Sequence, residues 1–162
     1  MQRPTDIYLG LGSNQGNREQ LIEEAMRLLS VALGAPLSRS SEIETEPWGF
    51  DSPNPFLNMA AHFVAAISPE ELLDATEAIE RQLGRLTKST PDSGYSDRPI
   101  DIDILFYGTS VIETPRLTVP HPRLQERMFV LQPLSEIAPM LQHPVTKESV
   151  VQMKEKLEGR SL

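Results

Sequence analysis

Apolar and polar residues alternate with a period of two between residues 56 and 67. Leu57, Met59, Ala61, Phe63, Ala65 and Ile67 are all apolar, whereas Phe56, Asn58, Ala60 and His62 make a mixed face. Side chains two apart on a strand share a face, so this run predicts a strand with its odd positions in a core. Ile100, Ile102, Ile104 and Phe106 repeat the pattern and predict a second strand over 100–107, with Asp101 and Asp103 on its other face. Ile7-Tyr8-Leu9-Gly10-Leu11 reads as a short buried strand, and a polar strand is expected near Ser38–Thr45.

Helical spacing governs the segments between. Leu21, Ile22, Ala25, Leu28 and Leu29 form a stripe that starts after Asn17, with Gln20 three residues on, and stops at Gly34. Ser68-Pro69-Glu70-Glu71 is a capping box with proline at the first turn. It leads a stripe of Leu72, Ala75 or Thr76, Ile79 and Leu83 that ends at Gly84. Residues 46–55 and 85–99 are loops, and Gly108-Thr109-Ser110 turns towards a short Val111-Ile112 partner. The order β-α-β-β-α-β predicts an α+β, ferredoxin-like antiparallel-rich sheet with helices on one face and an irregular C-terminal extension. The 162 residues are read as one domain, 1–162, without repeats or linkers.

Composition narrows the classes. There is no cysteine, which excludes disulfides and thiolate–zinc sites. No apolar run nears the ~20 residues that span a bilayer, and residues 1–12 lack a signal-peptide pattern. A monomeric cytoplasmic protein is expected. A net charge of −8 argues against nucleic acid and anionic membranes as partners. The charge is uneven, with 4 Lys/Arg against 13 Asp/Glu over 1–80 but 7 against 6 over 81–127. Without Asp101 and Asp103 the middle segment is +3, a pattern that suits a small polyanion.

Asp101 and Asp103 carry the sharpest chemistry. They stand roughly 7 Å apart on one strand face and repel. Mg²⁺ takes one or two carboxylates together with phosphate oxygens and water, so the pair suits divalent ions on a bound polyphosphate. A solvated polar strand face is the plainer reading. "GLGSNQG" (10–16) is one residue too long for the dinucleotide fingerprint, and no P-loop is present, so its glycines are read as tight-turn residues before the first helix. Asn58 beside Phe56 can read a flat heterocycle or serve as a satisfied structural amide. His121, Arg123 and Arg127 can grip phosphate or stand as surface residues.

The segments "LGLGSNQGNRE" (9–19), "FLNMA" (56–60), "SPEELLDATEAIERQLGR" (68–85), "RPIDIDILFYG" (98–108) and "RLTVPHPRLQERMFVLQPLSEIAP" (116–139) together resemble the 6-hydroxymethyl-7,8-dihydropterin pyrophosphokinases of the folate pathway. The resemblance implies transfer of the β,γ-pyrophosphoryl group of ATP to the pterin hydroxyl, giving AMP. Two Mg²⁺ ions are then held by Asp101 and Asp103, and the phosphates by Arg98, His121 and Arg127. Glu77, Glu80, Arg85, Lys88, Ile104, Arg116 and Thr118 fall at nucleotide positions. Thr45, Pro47, Trp48, Phe56, Asn58 and Phe129 fall at pterin positions, with the ring between Phe56 and Phe129. The chain departs from the pattern at Thr87, where arginine is common, at Pro122 and at Glu77. Its 85–99 loop is also longer, leaving Lys88 or Tyr95 as substitutes for the missing phosphate contacts. A nucleotidyltransferase or a non-catalytic ferredoxin-like module are the competing classes.

Overall fold

The structure, a computed structural model, describes residues 3–45, 55–85 and 99–160. Strand β1 (Thr5–Ser13) leads to helix α1 (Arg18–Leu33), then β2 (Ser38–Arg39), β3 (Ile43–Thr45), β4 (Phe56–Ala65), α2 (Pro69–Glu80) and β5 (Asp101–Tyr107). β6 (Ile112–Glu113), β7 (Thr118–Val119), α3 (Met128–Ile137) and α4 (Val150–Arg160) follow. The main sheet runs β2-β4-β1-β5, and β3 also pairs with β4. All these pairings are antiparallel. The polar strand expected at 38–45 is therefore two short pieces laid along one edge of β4, and the ferredoxin-like order holds.

Both predicted helix starts form. Asn17 Oδ1 accepts the Gln20 amide, and Ser68 and Glu71 complete their reciprocal box. Each box residue satisfies an amide that the first helical turn leaves without a partner. The stripe of α1 includes Met26 and Leu33 beside Ile22, Ala25 and Leu29, while Leu21 and Leu28 are half-buried. Gly34, at φ 91°, ends it.

Helices cover both faces of the sheet rather than one. The larger core lies under α1 and α2 and holds Ile7, Leu9, Leu11, Leu57, Met59, Phe63, Ile100, Ile102 and Ile104. A second core joins Tyr8, Ala60, Leu105 and Phe106 to Leu124, Val130, Leu131 and Leu134, and to Val150 and Met153 of α4. The C-terminal extension is thus a packed layer. Burying each such large side chain stabilises the fold by ~1.5–3 kcal/mol.

A bulge in β5 explains one reversal. Tyr8 faces Phe106 but Leu9 faces Ile104, which leaves Leu105 as an extra residue. The bulge changes the parity of the strand. Phe106, expected beside Ile100, Ile102 and Ile104, joins the second core, and Tyr107 takes its place in the larger one. Likewise Ile112 pairs with Val119 of β7 and not with β5.

His143 is 6% exposed, lies edge-on to Phe106, and accepts the amides of Val145 and Thr146 at Nδ1 (3.1 and 3.3 Å). Burial holds its pKa below the ordinary imidazole value, outweighing Glu148. The unfolded chain therefore binds the proton at higher pH than the folded one, and stability rises with pH in that window. We expect the urea midpoint to fall as pH drops through ~6.5. His143→Gln should flatten part of that slope, as paired denaturation curves at pH 7.5 and 5.5 would read out.

Candidate active site

β4, β1 and β5 lie side by side, and their register sets the site. Gly12 of β1 faces Asn58 of β4 on one side and Asp101 of β5 on the other. Two residues earlier, Gly10 faces Ala60 and Asp103. Asn58, Asp101 and Asp103 all lie opposite the larger core, so one sheet face carries an amide, a bare glycine and a carboxylate in a row across three strands. Gly12 was expected in a turn before α1, and Gly10 both there and in the Ile7–Leu11 strand. Both are strand residues that deny the middle of this row any side chain, and Gly16, at φ 65°, is the turn glycine. The signal was present in the sequence: glycines two apart in a strand share a face.

The floor differs along its length. A Cβ built on Gly10 would lie 3.5 Å from the Leu105 side chain, an ordinary contact. On Gly12 it would lie 2.8 Å from Asn58 Oδ1 and 3.6 Å from the Phe56 ring. The Asn58 amide is 6% exposed and donates from Nδ2 to Thr45 Oγ1 at 2.7 Å. That bond fixes the amide, and Oδ1 lies over Gly12. Thr45 and Phe56 face one another in the β3–β4 ladder, and Phe56 is half-buried.

Asp101 and Asp103 are half-buried. Between them the amide of Ile102 donates to Glu80 Oε2 at 2.7 Å, and Glu80 is 5% exposed. Glu80 thus clasps the outer edge of β5 from α2, holding the Asp-x-Asp segment by its backbone. The bulge brings in His121, whose amide donates to the Leu105 carbonyl at 3.1 Å. Its Nδ1 accepts the Arg123 amide at 3.4 Å, which leaves Nε2–H as the donor of a neutral ring. Burial lowers the His121 pKa, against the opposing field of Asp101 and with that of Arg123. The nearness of Asp101 joins His121 to the carboxylate pair.

Arg127 is 5% exposed, and its guanidinium stands 5.5 Å from the centre of the half-buried Phe129 ring. Burial lowers its pKa, yet a guanidinium remains charged. A largely desolvated cation over an aromatic face suits an anion attached to a flat ring.

Other expected residues sit elsewhere. Arg116 donates to Asp74 at 2.9 Å and to Glu77 at 3.1 Å on the exposed face of α2. Arg116 and Glu77 are therefore brought together, but as an exposed ion-pair cluster. Thr118 is exposed in β7. The Ile104 side chain is 5% exposed within the larger core and so can offer a ligand only its main chain. Pro47, Trp48, Lys88, Arg98 and the side chain of Arg85 lie outside the described residues.

The donor set fits a hard cation. Two carboxylates share one face beside Gly10 and Gly12, which project no side chain. Among the described residues no group of three or more His, Asp or Glu could hold a metal ion alone. Phosphate oxygens and water are the partners that magnesium takes beside one or two carboxylates.

Residues 8–139 match the family described as 7,8-dihydro-6-hydroxymethylpterin-pyrophosphokinase. The chain is 47% identical over 139 residues to a 2-amino-4-hydroxy-6-hydroxymethyldihydropteridine pyrophosphokinase of Porphyromonas gingivalis, covering 85% of this chain and 93% of that one. It is 41% identical to the protein so named in Bacillus subtilis, over 86% of this chain and 81% of that one. A solved Plasmodium falciparum HPPK-DHPS with pteroate superposes with a TM-score of 0.79 at 16% identity. That match covers 99% of this chain and 43% of the longer one, and at that identity it speaks for the fold alone. The chain belongs to the 7,8-dihydro-6-hydroxymethylpterin-pyrophosphokinase family.

Proposed function

We propose that the row Asn58–Gly12–Asp101 is where the pterin meets the nucleotide. The enzyme is an ATP-dependent pyrophosphokinase that transfers the pyrophosphoryl group of ATP to 6-hydroxymethyl-7,8-dihydropterin in folate synthesis. The observation that carries the residue assignment is the spacing of this row. Neighbouring strands are ~4.8 Å apart, so the amide row and the carboxylate row are separated by about 10 Å. A bicyclic pterin with its hydroxymethyl arm spans that gap over a floor without side chains.

In this reading Asn58 and Thr45 hydrogen-bond the pterin edge, and Phe56 and Phe129 hold its faces. Asp101 and Asp103 would hold two magnesium ions, which would supply charge neutralisation along the phosphate chain. His121 donates from Nε2–H, and Arg127 and Arg98 add charge. The pterin hydroxyl oxygen bonds to the β-phosphorus as the bond from that phosphorus to the α,β-bridging oxygen breaks. AMP leaves with that oxygen, and the hydroxyl proton passes to water. The protein supplies position and charge, and no side-chain nucleophile is required. Glu80 holds the carboxylate pair in place through Ile102; the resemblance assigns Glu77, Arg85, Lys88, Ile104, Arg116 and Thr118 to the nucleotide, Ile104 through its main chain alone. The resemblance also assigns Pro47 and Trp48 to the pterin. The protein acts as a single-domain cytoplasmic monomer on small molecules, with neither nucleic acid nor membrane as partner.

Mixing the protein with Mg·ATP and the hydroxymethyldihydropterin should yield AMP and the pterin diphosphate. Release of pyrophosphate would point instead to nucleotidyl transfer. Asn58→Ala should weaken pterin binding by about 1–3 kcal/mol, because it removes a ligand bond and strands the Thr45 hydroxyl. Calorimetry showing unchanged pterin affinity would remove Asn58 from the site.

A further inference from the structure

Arg18 opens α1, where the positive end of the helix dipole disfavours a cation. Its side chain leaves the helix. Nη2 donates to Glu44 Oε2 at 2.8 Å and Nη1 to the Pro55 carbonyl at 3.0 Å, and the side chain is 26% exposed. One partner lies on β3 and the other immediately before β4. Glu44 precedes Thr45 at the end of β3, and Pro55 precedes Phe56 at the start of β4. Thr45 and Phe56 are paired in register. One planar guanidinium fork thus bridges the two strands next to the residues that form the pterin edge.

The strand β3 needs such a tie. It is three residues long and, among the described residues, pairs only with β4. Arg39 bonds Glu23 and Glu42, and Ser41 bonds Glu136 of α3, but these ties act nearer its beginning. Arg18 joins the site ends of both strands at once. Holding α1 in place does not explain the arrangement. Ile22, Ala25, Leu29 and Leu33 already bury that helix, and an ion pair with an exposed partner adds little to stability.

We infer that Arg18 is a positioning residue for pterin recognition: through Glu44 and the Pro55 carbonyl it fixes Thr45, and with it the Asn58 amide, against Phe56. Arg18 does not itself contact the substrate. The inference rests on the assignment of Thr45, Phe56 and Asn58 to the pterin.

The test compares Arg18→Met, which keeps the aliphatic stem, with Arg18→Lys and with Asn58→Ala as a benchmark. Calorimetry gives the affinity of each for the hydroxymethyldihydropterin and for a magnesium-loaded non-hydrolysable ATP analogue, and thermal midpoints report the fold. Arg18→Met should weaken pterin binding about tenfold, on the scale of one charge-assisted hydrogen bond, while nucleotide affinity stays within about twofold. Arg18→Lys should fall between, because an ammonium can meet Glu44 but lacks the second arm of the fork. Equal weakening of both ligands would reveal a general structural role and overturn the inference. Unchanged pterin affinity in Arg18→Met with loss in Asn58→Ala would overturn it while sparing the site assignment. Unchanged affinity in both would overturn the two together.

Discussion

Replacing Asp103 with alanine abolishes formation of AMP from Mg·ATP and the hydroxymethyldihydropterin and leaves the fold standing. Asp103 and Asp101 project from the same face of β5, beside the glycines of β1. At ~7 Å their mutual repulsion is about 0.6 kcal/mol in water and about 2.4 kcal/mol at an effective permittivity of 20. That cost is small enough for the folded chain to carry, and its removal cannot unfold the protein. The catalytic loss is of another size. A transferring phosphoryl group gains most of its stabilisation from charge held in place beforehand, and removing one element of such a site costs on the order of 10²–10³ in rate. Deleting a carboxylate that orients magnesium should reach or exceed the upper figure. Near-normal turnover in Asp103→Ala, with an unchanged thermal midpoint, would end the assignment of the pair to metal-assisted transfer. Asp103→Asn keeps the shape and loses the charge, and should behave like alanine.

The elements bounded by local chemistry were legible in the sequence. Asn17 and the Ser68–Glu71 box mark helix starts through bonds within four residues, so they survive any tertiary context. The odd face of β4 is equally plain, because a core on one side of a strand forces a period of two. The bulge at Leu105 was not legible. Leu105 and Phe106 are both apolar and both faces of the sheet are covered there, so no polar residue marks the change of parity. The layered C-terminal extension was hidden for a related reason. α3 has no side-chain cap at its start and carries Pro133 inside, so it lacks the usual marks of a helix. Packing against the sheet, rather than local propensity, makes it helical.

The candidate site divides along the same line. Paired carboxylates on a strand, and an amide beside an aromatic ring, can be recognised by type and spacing alone. What holds them cannot. Glu80 reaches the Ile102 amide 22 residues away, and Arg18 reaches partners 26 and 37 residues away. Bonds of that range depend on the finished fold. Glu80 accordingly drew attention only as a nucleotide-side residue, while its contact with the backbone between the two aspartates belongs to the support of the carboxylate pair. Arg116 and Glu77 show the converse: two residues assigned separately to the nucleotide meet each other on α2.

Gly12→Ala should nearly eliminate pterin binding, whereas Gly10→Ala should leave it close to normal. The contrast isolates the site from the strand, since both substitutions add one methyl group to β1 in ordinary extended backbone. At position 10 the methyl would rest 3.5 Å from Leu105 and gain a contact. At position 12 it would enter within 2.8 Å of Asn58 Oδ1, closer than real Cβ contacts allow. Asn58 cannot yield without breaking its 2.7 Å bond to Thr45. The added methyl would also occupy the floor between the amide and the carboxylates. Displacing a buried amide from its partners costs about 1–3 kcal/mol, and obstructing the ring adds to that, so affinity for the hydroxymethyldihydropterin should fall roughly a hundredfold or more. Binding of a magnesium-loaded ATP analogue should change far less, because Asp101 and Asp103 project from the neighbouring strand. Calorimetry with each ligand separates the outcomes. A Gly12→Ala protein that binds pterin normally would show that the ring does not lie over β1, and the row from Asn58 to Asp101 would lose its meaning as a site.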